Sequence, residues 1–149
     1  MKSQVVTILI AEDDLDDRQM TTEALQAARL ANDLHFVDDG QDLLDYLRGE
    51  GRHAGESSPR PTLILLDLNM PRMDGREALA AIKSDPDLRQ IPIVVLTTST
   101  ADADVCRSYD LGVNSYITKP VTFSGLVDAM TSMGRYWFEL VQLPASPAA

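Results

Sequence analysis

The chain has 149 residues, 44% of them hydrophobic and 24% charged, the make-up of one globular domain large enough to bury a single core. A formal charge of −10 sets most of its surface against a phosphate backbone and argues against direct nucleic-acid binding. A lone cysteine, Cys106, cannot form an internal disulfide, no apolar run approaches the roughly 18 residues of a membrane span, and the N-terminus lacks the succession of a signal peptide, so a cytoplasmic protein is expected.

Short apolar runs alternate with stretches of helical period, which predicts βαβ units and a parallel sheet. The first strand, near 5–11, runs through Ile8-Leu9-Ile10-Ala11 into Glu12-Asp13-Asp14. A helix near 15–30 follows, with Asp14, Asp16 and Asp17 read as a solvated first turn favoured by the helix dipole, Asp17 being able to pair near Arg18 or Thr21. The second strand, near 33–37, carries His35, and Asp38-Asp39-Gly40 reads as a turn into a helix near 40–48. Gly49 to Pro61, rich in Gly, Ser and Pro, reads as a mobile surface insertion in which His53 has a structural or solvent role. The third strand, near 62–67, ends Leu63-Ile64-Leu65-Leu66-Asp67, and Asp74 should cap a helix near 75–84.

The fourth strand, near 91–97, passes through Ile93-Val94-Val95-Leu96 to Thr97-Thr98. Asp102 and Asp104 enrich the first turn of a helix near 101–111, and Gly112 fits its C-terminal stop. The fifth strand, near 114–118, places Tyr116-Ile117-Thr118 before Lys119-Pro120. In a last helix near 122–141, Phe123, Leu126, Val127, Met130 and Met133 form a stripe that should pack on the sheet. Beyond it Tyr136, Trp137, Phe138, Leu140, Val141 and Leu143 are apolar nearly all round, and such a surface usually marks an interface. The expected organisation is one domain over 1–143 with an extended C-terminal helix and a disordered tail over 144–149, with no second domain following.

Glu12, Asp13, Asp67, Thr97 and Lys119 thus stand at strand ends, where open α/β sheets bind ligands. Three carboxylates brought together cannot all stay ionised unaided, and a hard divalent cation with oxygen ligands, Mg²⁺, resolves the conflict. An acidic pair, a following Asp, a Thr and a Lys-Pro at successive strand ends, together with Met70-Pro71-Arg72-Met73-Asp74-Gly75, resemble the receiver domain of two-component response regulators, the CheY-like family.

The resemblance covers about the first 130 residues and implies a flavodoxin-like α/β fold, a doubly wound five-stranded parallel sheet of order 2-1-3-4-5 with five helices. It implies that Asp67 is the phosphoacceptor. Mg²⁺ would be held by Asp13, Asp67 and the backbone carbonyl of Asn69, with Glu12 reaching it through water. Lys119 would be the second cation. Thr97 would donate to a phosphoryl oxygen only once phosphate arrives and Tyr116 would turn inward behind it, changing the face of the fourth helix, fifth strand and fifth helix. Such a protein is a phosphoacceptor that supports its own phosphotransfer and dephosphorylation, not an enzyme acting on a separate substrate.

The stretch from Ser108 to Pro120 and the Tyr-Trp-Phe ending look more narrowly like the small single-domain regulators that accompany bacterial phytochrome histidine kinases. That implies a kinase phosphohistidine as donor and a homodimer through the fourth and fifth helices.

Two other classes compete. A Mg²⁺-dependent phosphohydrolase resembling the haloacid dehalogenases needs Asp-x-Asp, and the second position here is Asn69, a poor proton carrier. A phosphorylation-independent docking module of receiver fold would not need the site residues that are present. A dinucleotide-binding fold is disfavoured because no Gly-x-Gly-x-x-Gly follows the first strand.

Overall fold

The structure, a computed structural model, describes residues 6–30, 33–55, 58–98, 101–119 and 122–135, with Asp102 described by its backbone alone. Five strands, β1 (Thr7–Ala11), β2 (Asp33–Val37), β3 (Leu63–Leu66), β4 (Ile93–Thr97) and β5 (Ser115–Thr118), alternate with five helices. These are α1 (Leu15–Ala27), α2 (Gly40–Arg48), α3 (Gly75–Lys83), α4 (Asp102–Leu111) and α5 (Phe123–Arg135). All neighbouring strands are parallel and their order is β2-β1-β3-β4-β5, the doubly wound arrangement expected.

Side chains alternate across each strand, so the sheet divides the core in two. Leu9, Ala11, Ile64, Leu66, Ile93 and Val95 pack with α2 and α3 on one face. Ile8, Ile10, Leu63, Leu65, Val94 and Leu96 pack with α1 and α5 on the other. Each fully buried Leu or Ile contributes about 2 kcal/mol of apolar transfer, so the central strands supply enough to carry a polar edge of like charges. Ala11 pairs with Leu66, which sets Glu12 beside Asp67, and Thr97 pairs with Thr118, which brings Lys119 up at the same edge.

Element ends follow local chemistry. Asp14, Asp39 and Asp74 accept the first free N–H groups of α1, α2 and α3, and Gly112 closes α4 in the left-handed region at φ 99°. The predicted first helix is shorter than expected because Arg29 takes φ 61° and the Leu30 N–H bonds back to the Leu25 carbonyl. The fourth strand starts at Ile93, since Pro92 has no N–H for the ladder.

Residues Gly49 to Pro61 do not form a plain mobile insertion. Its described part makes a 3-10 turn over Gly51–His53, with His53 buried and its ring nitrogen 2.8 Å from the Asp42 carboxylate. Arg52 grips the same carboxylate with two N–H groups at 2.8 and 2.5 Å, so a buried acid on α2 anchors the loop. On α5, Leu126, Met130 and Met133 are buried and Val127 is half-buried, but Phe123, at the first helical position, is 45% exposed. The predicted helix beyond Arg135, the apolar residues Tyr136 to Leu143 and the tail 144–149 lie outside the described residues, as do Pro120 and the start of the first predicted strand.

Gly75 is required by a close approach. Its N–H bonds the Leu68 carbonyl at 2.9 Å, and a Cβ there would overlap the Asp67 carbonyl and the Leu68 Cα. Gly75→Ala must push α3 away from the end of β3, and we expect it to lower unfolding stability by about 2–3 kcal/mol. Urea denaturation checks this, and a change below about 0.5 kcal/mol would mean the approach is not constrained.

Candidate functional site

The site is built where β1, β3, β4 and β5 end. Glu12 is buried, and its backbone is tied to β2 by a 3.1 Å hydrogen bond from its N–H to the Val37 carbonyl. Its Oε2 accepts the Asp14 N–H at 3.2 Å, so the carboxylate is turned inward. Asp67 is buried immediately after β3, whereas Asp13 is exposed at the rim. One carboxylate oxygen from each of Glu12, Asp13 and Asp67 lies within 4.8 Å of the others. Two full charges at such a distance repel by about 3 kcal/mol at an effective dielectric near 20. That repulsion must be offset locally.

Lys119 supplies part of the offset. Its Nζ donates to Glu12 Oε1 at 2.5 Å and to Asp17 Oδ2 at 2.9 Å, and lies 3.6 Å from Asp67 Oδ2. Burial disfavours the ammonium, but the hydrogen bonds to Glu12 and Asp17 and the charge of Asp67 outweigh it and hold Lys119 above its ordinary range. Burial pushes the Glu12 carboxyl up, against the opposing pull of Lys119 and with the charge of Asp67 adding to the rise.

Asp67 is oriented by β4 and by the loop that follows β3. Thr97, fully buried, donates its hydroxyl to Asp67 Oδ1 at 2.8 Å, and the Asn69 N–H donates to the same oxygen at 3.0 Å. Before any phosphate arrives the Thr97 hydroxyl thus has the carboxylate as its partner, because the last residue of β4 sits beside the end of β3. Tyr116, half-buried on β5, packs against the α2–α3 face of the core.

Sequence reasoning missed Asp17. Asp14 and Asp16 are exposed as expected, but Asp17 pairs with Lys119 instead of with Arg18 or Thr21. Asp17 lies in the first turn of α1, just after the end of β1, and meets Lys119 only through the fold, so no local sequence signal marks it. Asp39 and Asp42 belong to a neighbouring structural network. Asp39 is held by the two N–H groups of Arg72 at 2.6 and 3.1 Å, and the Gly40 N–H bonds the Met73 carbonyl at 2.7 Å, so α2 braces the loop after Asp67. His35 bonds Asp33 and His53 bonds Asp42, both structural contacts. Cys106 is exposed.

Residues 8–131 match the family model described as the response regulator receiver domain. The chain belongs to this family. Response regulator Rcp1 of Synechocystis is 44% identical over 139 residues, a match spanning 93% of each chain. The phosphorylated cyanobacterial phytochrome response regulator RcpA superposes with a TM-score of 0.85 at 44% identity, covering 95% of this chain and all of that one. The Mn²⁺-bound form of Rcp1 superposes with a TM-score of 0.83 at 44% identity, covering 94% and 99%.

This receiver is thus a response regulator homologous to phytochrome response regulators, with a phosphoacceptor role and a histidine kinase as partner. Receivers bind a divalent metal, and the hard carboxylate cluster of Glu12, Asp13 and Asp67 is a donor set suited to one. Among the described residues no helix is long and apolar enough to cross a membrane. The phosphohydrolase reading loses further ground, because the Asn69 side chain is engaged with Thr97, Thr98 and Arg76.

Proposed function

We propose that Asp67 is the phosphoacceptor, receiving its phosphoryl group from the phosphohistidine of a sensor histidine kinase of the phytochrome type in a Mg²⁺-dependent reaction. The observation that carries this reading is the convergence of Glu12, Asp13, Asp67, Thr97 and Lys119 at one sheet edge. Asp13, Asp67 and the Asn69 carbonyl would hold the metal, with Glu12 reaching it through water. Mg²⁺ when bound would supply a divalent charge that neutralises the transferring phosphoryl oxygens.

The chain's own residues do the rest. A carboxylate oxygen of Asp67 attacks phosphorus, the P–N bond of the donor breaks, and the imidazole leaves with the bonding electron pair. The product carries about two negative charges where the carboxylate carried one, so the Lys119 ammonium is needed more as the reaction proceeds. The Thr97 hydroxyl transfers its hydrogen bond from the carboxylate to a phosphoryl oxygen, and Tyr116 follows inward, changing the face of α4, β5 and α5. Hydrolysis of the acyl phosphate at the same site resets the protein.

The phytochrome pairing is supported by the likeness to RcpA, and a cytoplasmic location suits such a partner. A homodimer through α4 and α5 is supported by Tyr109 on α4 and Phe123 on α5, which are 50% and 45% exposed.

Intact mass of wild type and Asp67→Asn, each treated with acetyl phosphate with and without Mg²⁺ and run by size exclusion, tests the reading. One phosphoryl gain that requires both Mg²⁺ and Asp67 is expected, with elution at the size of a dimer. Equal labelling of Asp67→Asn would refute the assignment of the acceptor.

A further inference from the structure

α4 is held to the rest of the protein by little apolar surface. Of its residues with described side chains only Ser108 is buried, Val105 and Leu111 being half-buried. Its N-cap, Ala101, offers no side-chain oxygen to the helix. Its first turn is tied to α3 by a charged fork: Arg76, near the start of α3, donates Nε and Nη2 to the two carboxylate oxygens of Asp104 at 2.7 and 2.6 Å. Paired donors in this arrangement are among the stronger and more directional contacts a surface offers.

The same guanidinium reaches back to the acceptor loop. Nη2 donates to Asn69 Oδ1 and Nη1 to the Leu68 carbonyl, both at 3.3 Å. Because a guanidinium only donates, the amide of Asn69 must present its oxygen to Arg76 and its NH₂ to the other side. There Nδ2 donates to the Thr98 hydroxyl at 3.0 Å and lies 3.4 Å from that of Thr97, the hydroxyl that bonds Asp67. A continuous polar chain therefore runs from Asp104 on α4 through Arg76 and Asn69 to Thr97 and Asp67.

The geometry points to Arg76 as a positioning residue that, held by Asp104, fixes the Asn69 amide against the Thr97 and Thr98 hydroxyls and thereby sets how long a phosphoryl group survives on Asp67. This rests on the reading of Asp67 as the acceptor. Hydrolysis needs water to form a new O–P bond opposite the Asp67 oxygen, whose P–O bond breaks to return the carboxylate and release inorganic phosphate. An amide pinned beside Thr97 and Thr98 obstructs that approach, and a released one does not. The position of α4 consequently feeds back on the lifetime of the group that moves it.

The test loads wild type, Arg76→Ala, Arg76→Lys, Asp104→Asn, Asn69→Ala and the Arg76→Ala/Asn69→Ala pair with acetyl phosphate and Mg²⁺. The reagent is then removed and the decay of the phosphorylated mass followed. Arg76→Ala and Asp104→Asn are expected to shorten the lifetime about three- to tenfold, the kinetic equivalent of one modest hydrogen bond. Arg76→Lys should behave like Arg76→Ala, because an ammonium lacks the fork that spans Asp104 and Asn69. The pair should decay no faster than Asn69→Ala alone, a non-additivity that a merely structural role would not produce.

Asp104→Asn preserves shape and decides the matter if Arg76→Ala does not fold. Lifetimes within about 1.5-fold of wild type, or effects that multiply in the pair, would overturn the inference and leave Asp67 as acceptor untouched. A wild type that takes up no phosphoryl group from either acetyl phosphate or a phosphorylated sensor histidine kinase would overturn both readings.

Discussion

Replacing Lys119 with Met is expected to slow phosphoryl uptake from acetyl phosphate by about 10²- to 10³-fold, the usual loss when one preorganised donor to developing charge is removed. Met keeps the buried stem filled and deletes only the ammonium, which now faces Glu12, Asp17 and Asp67 at 2.5, 2.9 and 3.6 Å. Those carboxylates would then repel one another, and the Glu12 carboxyl, already pushed up by burial, would rise further and take a proton. A proton on Glu12 can balance charge in the resting protein, so the folded state should survive. It cannot follow the phosphoryl oxygens as their charge grows, so the reaction should fail. Initial rates by intact mass separate these effects, and a Lys119→Met rate within about threefold of wild type would show that the ammonium stabilises the resting acids only.

Asp42→Ala is expected to lower stability by about 3 kcal/mol at neutral pH, because it removes the common partner of several donors. The buried Asp42 carboxylate accepts from Arg52 twice, lies against the His53 ring, and takes the Asp38 N–H at 2.9 Å. Burial alone would raise its titration, but the hydrogen bonds from Arg52, Asp38 and His53 prevail and hold it well below the usual carboxylate range. Asp39 is depressed in the same sense, with burial again outweighed by its hydrogen bonds to Arg72 and Asp42.

A carboxyl whose folded value is depressed adds stability that is present above its unfolded value and is lost as pH falls toward the folded one. Wild type should therefore lose stability as pH drops below about 4, and Asp42→Ala should show a flatter acid limb. Arg52 is 57% exposed and regains water when released, so most of the cost should come from the buried His53 ring losing its contact with the Asp42 carboxylate. Urea midpoints measured from pH 3 to 7 check both statements. Parallel acid limbs for the two proteins would place the stabilisation elsewhere.

The strands were legible because β1, β3 and β4 are covered on both faces, which leaves uninterrupted apolar runs with no polar alternation. Caps were legible where a single Asp met a helical pattern, as at Asp74. Arg29 was not, since a non-glycine residue enters the left-handed region there only because Leu30 must reach the core. The site acids and Lys119 could be named because each ends a strand, and parallel strands of matched register end together.

Their partners could not be named from local pattern. Asp17 meets Lys119 across 102 residues of sequence and Arg76 meets Asp104 across 28. Composition also misled at Gly49 to Pro61, where Gly and Ser suggest mobility but one buried acid on α2 fixes the described part of the loop. The early contact between Thr97 and Asp67 was hidden for a related reason. Strand order fixes which residues are neighbours but not the rotamer that points the hydroxyl at the carboxylate.

The most direct measurement is the position of the phosphoryl group itself. Wild type loaded with acetyl phosphate and Mg²⁺ is treated with borohydride, which reduces an acyl phosphate to the alcohol and so leaves homoserine where an aspartate carried the group. Peptide mass spectrometry should find homoserine at position 67 alone, with Glu12, Asp13 and Asp74 unchanged. Reduction at Asp13 or Asp74 with Asp67 intact would contradict the account, however tightly the protein bound its metal.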